Sequence, residues 1–168
     1  MIRGFKIALA SWLAVYLQST AANLMTFWGL TPSLAVIIIS LAGLKQGTPA
    51  AVWTGLWAGF LADCFHPASF GLYSAAGTAI GFLAGLVRER IYREQLISQA
   101  VLIASLTMIH MTLVFFGREG GKLSLYPWYL ARFALGSAGL TSIVAVFVLP
   151  ALERWIYARG RNRNAPAL

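Results

Sequence analysis

Few ionisable side chains in this sequence stand where a reaction would need them. The acids are Asp63, Glu89, Glu94, Glu119 and Glu153, and all but Asp63 fall in polar segments beside basic residues. The histidines, His66 and His110, show no HExxH or other metal-ligand spacing. No serine lies in a GxSxG, and no P-loop or GxGxxG follows a strand. Paired carboxylates suited to acid–base work are absent. The residue pattern therefore predicts no catalytic centre, no metal and no cofactor.

What remains is a small set of polar groups inside apolar runs: Asn23, Asp63, His110 and Arg132. A polar group in hydrocarbon must find a partner. Counting from the basic ends of the runs at about 1.5 Å per residue puts Asn23, Asp63 and His110 about 20–25 Å in, with Arg132 entering from the other side near that level. Two readings of Asp63 stay open. It pairs with Arg132, or hydrogen-bonds to His110 or Asn23, in a pocket opening outward; or it lies at the interface, capped by water and by the Cys64–Ser69 turn.

The elements that must position these groups follow from composition. Of 168 residues, 59% are hydrophobic and 11% charged, against about 25% charged in soluble domains. A chain this short could not bury so much apolar surface in water, so lipid is the expected solvent. The net charge of +8 does not predict nucleic-acid binding, because the Lys and Arg residues sit in short clusters between apolar runs, as membrane orientation signals do. With Cys64 as the single cysteine, no internal disulfide can form.

About 20 apolar residues cross the bilayer core as a helix. The sequence predicts one all-α integral membrane domain over 1–158 with six spans, 7–30, 32–44, 47–65, 70–87, 96–116 and 130–152, and a disordered basic tail over 159–168. The first run is too long for a signal core and is read as a retained helix. The second is short, with Thr31 as expected N-cap and Pro32 as first helical residue; it is a thin shielded span or a re-entrant segment. An N-in/C-in arrangement puts ten Lys and Arg inside and Arg118, Lys122 and Arg132 outside, which obeys the positive-inside rule. Phe27, Trp28, Tyr126, Trp128, Tyr129, Trp155 and Tyr157 fall at the expected borders, as an aromatic belt does.

Small residues recur at helix-packing spacing: Gly55 and Gly59 in the third run, Gly77, Gly81 and Gly85 in the fourth, and more weakly Ala10 and Ala14 in the first. Such rows let helix backbones approach closely. They serve packing within the chain or docking of a partner's helix.

The stretch from Gly55 to Arg90 reads Gly55-xxx-Gly59-xxx-Asp63, a short turn, Gly71-Leu72-Tyr73, Gly81, and a basic loop from Arg88. It resembles the rod shape-determining protein MreD family, as do the length, span number and basic C-terminal end. Two positions depart from the family pattern: Ser33 follows Pro32, and Phe65, His66 and Pro67 occupy the turn after Asp63. The resemblance implies a non-enzymatic scaffold in the bacterial cytoplasmic membrane. It implies MreC as direct partner, with the MreB filament, RodA and a class B penicillin-binding transpeptidase reached indirectly. It also implies a fold similar to the substrate-binding subunits of energy-coupling factor transporters, so a vitamin-transporter subunit is the alternative. By carry-over, Gly55, Gly59, Asp63, Gly71, Leu72, Tyr73 and Gly81 shape the hairpin of the third and fourth helices. Gly77 and Gly81 are expected on a face where MreC's helix docks.

Overall fold

One short helix lies at the centre of the chain and the others wrap it. The computed structural model describes residues 2–20, 30–89, 96–119 and 126–157. Its helices are α1 (Ile2–Thr20), α2 (Leu34–Gln46), α3 (Thr48–Phe65), α4 (Leu72–Leu86), α5 (Leu96–Glu119) and α6 (Leu135–Tyr157). A helical turn at Tyr126–Tyr129 and a π-helical turn at Leu130–Ala134 lead into α6.

The central helix is α2. Its sequence, Leu-Ala-Val-Ile-Ile-Ile-Ser-Leu-Ala-Gly-Leu, has no polar stripe to turn outward, and a helix apolar all round belongs in a core. Val36 through Leu44 are all buried. Ser40, in mid-run, donates its hydroxyl back to the Val36 carbonyl at 2.7 Å, so no polar group is left over. On one side α2 packs Ile37, Ile38 and Leu41 against Ile7 of α1 and Leu149 of α6. On the other, Val36, Ile39 and Leu44 meet Ala58 of α3, Ile80 of α4 and Leu106 of α5.

At 13 residues, α2 is about 20 Å long, well short of a hydrocarbon core of about 30 Å. Its ends are pinned to α6. The Ser33 amide donates to Thr141 Oγ1 at 2.9 Å, and Lys45 pairs with Glu153 at 2.6 Å. Ser33 therefore stands level with Thr141, near the middle of the helical stretch from Tyr126 to Tyr157, and the chain from Leu30 to Ser33 is non-helical at that depth. The expected N-cap at Thr31 and helical start at Pro32 are corrected: the helix begins at Leu34, because Ser33 at φ −90°, ψ 86° lies outside the helical region.

Other boundaries shift as well. α1 begins at Ile2; the far half of that span, with Asn23, Phe27 and Trp28, lies outside the described residues. The last helical stretch begins at Tyr126, so Trp128 and Tyr129 ride on helix rather than precede it. Arg90, Arg93 and the 159–168 tail also lie outside the described residues.

The two ends of the bundle differ in charge. At the Lys45 end, Lys6 donates to the Trp155 carbonyl at 2.7 Å and sits over its ring at 5.3 Å. Arg88 reaches Gly47 on the same end. The opposite, Asp63 end carries Arg118 and Arg132. Among the described residues, two helical stretches, Ile97–Glu119 and Tyr126–Ile156, are long and apolar enough to cross a membrane. Around the outside, Trp53, Phe147 and Ile97 are 70%, 75% and 80% exposed. So much outward-facing apolar surface matches lipid and not water. The chain is a membrane protein.

Candidate functional site

The Asp63 end holds two features: a stapled helix hairpin and a cavity beside it. The hairpin is built by glycine. A Cβ on Gly55 would overlap the Gly77 carbonyl oxygen, and one on Gly77 would overlap that of Gly55. Gly81 meets Ala51, Gly59 meets Tyr73 and Gly85 meets Thr48 in the same way. The α3 and α4 backbones therefore touch along their whole length. Gly55, Gly59, Gly77 and Gly81 are buried in this seam. The expected docking face on Gly77 and Gly81 is corrected accordingly: a partner's helix cannot reach them.

Asp63 closes the hairpin. It is fully buried at the last turn of α3. One carboxylate oxygen accepts the Tyr73 amide at 3.0 Å; the other accepts the Ser74 amide at 3.0 Å and the Ser74 hydroxyl at 2.5 Å. These are first-turn donors of α4, which otherwise lack partners. The residue in the cap position is Gly71, at φ 91° and with no side chain to offer. Asp63 supplies the missing cap from the preceding helix, where the positive end of the α4 dipole favours it. Leu72 packs on Gly117 of α5, so the same turn is held from both sides.

Asp63 is thus spent on Tyr73 and Ser74, and no ion pair joins it to Arg132. That side chain lies in the π-helical turn, over the Trp128 ring at 5.5 Å. His110 does not bond to Asp63 either; Tyr73 stands between them, its amide on Asp63 and its ring 6.3 Å from the His110 ring. The water-and-turn reading of Asp63 also gives way, since α4 amides occupy the carboxylate. Asn23 lies outside the described residues.

The cavity has a volume of about 360 Å³, inside the range of ligand pockets. Val15 and Gln18 of α1, Ser33, Ile39 of α2, Ala58 of α3, Gly77 of α4 and His110 of α5 line it, with Arg118 and Tyr129 toward the Asp63 end. Among the described residues, three buried polar atoms on its wall have no hydrogen-bond partner: Gln18 Oε1, Ser33 Oγ and His110 Nδ1. Left dry, each would cost about 1–3 kcal/mol. Sequence reasoning found His110 but passed over Gln18 and Ser33. The rule that flagged Asn23, a polar side chain in an apolar run, would have found both. Ser74 also had a signal, because Gly71 cannot cap α4 and an acceptor had to come from elsewhere.

A family model described as rod shape-determining protein MreD matches residues 2–152 of the chain. No curated protein and no solved structure matches it.

Proposed function

The chain belongs to the rod shape-determining protein MreD family, and from that premise we propose that it is a non-enzymatic scaffold of the bacterial elongation machinery. Membership implies a role in rod shape determination. In our reading the chain holds MreC in the cytoplasmic membrane and so supports rod shape and lateral peptidoglycan synthesis. MreB, RodA and the class B transpeptidase are reached through that contact. Nothing in the family match favours the vitamin-transporter reading.

The observation that carries the scaffold reading is the use to which the motif residues are put. Asp63 caps α4, Gly71 makes the turn, and Gly55, Gly59, Gly77 and Gly81 close the seam. All of them stiffen one hairpin, and the one carboxylate among them is engaged by three donors of that hairpin. A rigid hairpin suits a docking element, whose cost of ordering is met before the partner arrives.

With the glycine seam closed, the surface left for MreC's transmembrane helix is the opposite face of α3. Trp53, Leu56, Trp57 and Phe60 share that face at helical spacing and are 39–70% exposed. Phe60 also meets Phe70 edge-on at 6.2 Å, tying the stripe to the turn before α4. The excess of basic residues at the Lys45 end supports a multi-pass, N-in/C-in orientation in the inner membrane.

The test is co-purification with MreC, with a photocrosslinking residue at Trp57 on α3 or at Phe147 on α6. Crosslinks to MreC from position 57 and none from 147 are expected. A complex that forms while position 57 stays silent would refute the face. Failure to co-purify at all would refute the scaffold reading.

A further inference from the structure

We infer that the cavity at the Asp63 end is a binding site for a phosphate group, seated at the N-terminus of α2 and carried on a small polar molecule or a lipid. The scaffold reading neither requires nor supplies such a site.

Three observations converge on it. The first is the start of α2 itself. The opening amides of a helix have no acceptor within the helix and carry the positive end of its dipole. Ser33, in the cap position, makes no side-chain cap over them. Both Ser33 and Ala35 line the cavity, so the first turn of α2 borders the chamber. Non-helical chain at membrane depth, such as Leu30–Ser33, is tolerated where it lines a cavity, and half-helix N-termini there receive anionic groups.

The second is the set of orphaned atoms. Ser33 is 1% exposed, and its hydroxyl, Gln18 Oε1 and His110 Nδ1 are buried in one chamber without partners among the described residues. Buried polar groups are rarely left unpaired. The Gln18 amide can turn its NH₂ inward, and the His110 ring can present a donor, so all three can serve an anion.

The third is charge. Arg118 stands at the Asp63 end of the cavity beside Tyr129, and neither Asp nor Glu is among the described residues lining it. Amides, a hydroxyl, an amide side chain, an imidazole and a guanidinium exceed what the two oxygens of a carboxylate can accept; the oxygens of a phosphate match them better. The chamber runs about 12 Å from Ala58 to His66 along α3, longer than a bare phosphate. Val15, Ile39 and Val114 along it suit an attached neutral body. Such a group comes from an anionic phospholipid or from a soluble phosphate ester.

The experiment uses the full chain in phosphatidylcholine nanodiscs. One arm titrates inorganic phosphate and sn-glycerol 3-phosphate; the other replaces part of the lipid with phosphatidylglycerol. The unfolding midpoint is followed in both, and native mass spectrometry reads retained lipid. A saturable rise in midpoint in the first arm assigns the site to a soluble ester; a rise with retained phosphatidylglycerol in the second assigns it to lipid. Gln18→Glu, which sets an acid in the chamber, and the near-isosteric Ser33→Ala should each weaken binding at least tenfold. Both should still fold and co-purify MreC without probe, which separates this site from the scaffold role. No saturable shift in either arm, or wild-type binding by Gln18→Glu, would overturn the assignment.

Discussion

Asp63 holds Ser74 twice, through its amide at 3.0 Å and its hydroxyl at 2.5 Å, and so joins the last turn of one helix to the first turn of the next. The pair is fixed by the glycine seam, which brings Gly59 against Tyr73 only a turn away. Neither works alone: without close backbones the carboxylate would not reach α4, and without the cap the seam would end in unpaired amides.

Removing the carboxylate should therefore cost more than an ordinary cap. Asp63→Ala strands three donors in a buried site and is expected to lower stability by about 2–4 kcal/mol. Ser74→Ala should cost about 1 kcal/mol. Reversible unfolding in detergent, followed by circular dichroism, checks the order. Equal losses for the two variants would mean that the amide bonds contribute little.

Glycines should divide by their surroundings. Gly55→Leu or Gly77→Leu drives a side chain into the facing backbone and should prevent the hairpin from closing. A Cβ at Gly139 of α6 meets nothing within 4 Å, so Gly139→Ala should be neutral or stabilising by up to about 1 kcal/mol. Folded yield on size-exclusion chromatography, with the unfolding midpoint of Gly139→Ala, distinguishes these outcomes.

The Lys45–Glu153 pair ties α2 to α6 at 2.6 Å, but its side chains are 25% and 43% exposed. Solvent screens such a contact, and a double-mutant cycle with Lys45→Met and Glu153→Gln should return a coupling of no more than about 1 kcal/mol. A coupling of several kcal/mol would show that this end is drier than its exposure suggests.

Cys64, the one cysteine of the chain, is exposed at the Asp63 end. In intact spheroplasts it should react with a membrane-impermeant maleimide, whereas a cysteine placed at Arg88 in a Cys64→Ser chain should stay protected until the membrane is permeabilised. The reverse pattern would invert the orientation drawn from the basic residues.

Much of this architecture was legible in the residues because apolar runs and their charged borders record the solvent directly. The glycine spacing marked the α3–α4 contact, though spacing alone cannot say which helix fills the groove; only the close approach of Gly55 and Gly77 shows that the chain fills its own. Asp63 stood out as the lone acid within an apolar run. Depth counting brings residues level without saying which way they face, and a pairing with Arg132 or His110 does not form. Ser74 was nearer than Arg132, and its amide had no other acceptor. The start of α2 was misplaced by two residues, since Thr31 and Pro32 form a local helix signal that the tertiary bond from Ser33 to Thr141 overrides.

The scaffold claim is met most directly by measuring how much MreC is retained by equal amounts of the wild-type chain and the Gly55→Leu variant, each extracted from membranes of the same bacterium. The scaffold role predicts a stable complex with the first and at least a tenfold drop with the second. Undiminished MreC on a chain whose hairpin has been forced open would contradict it.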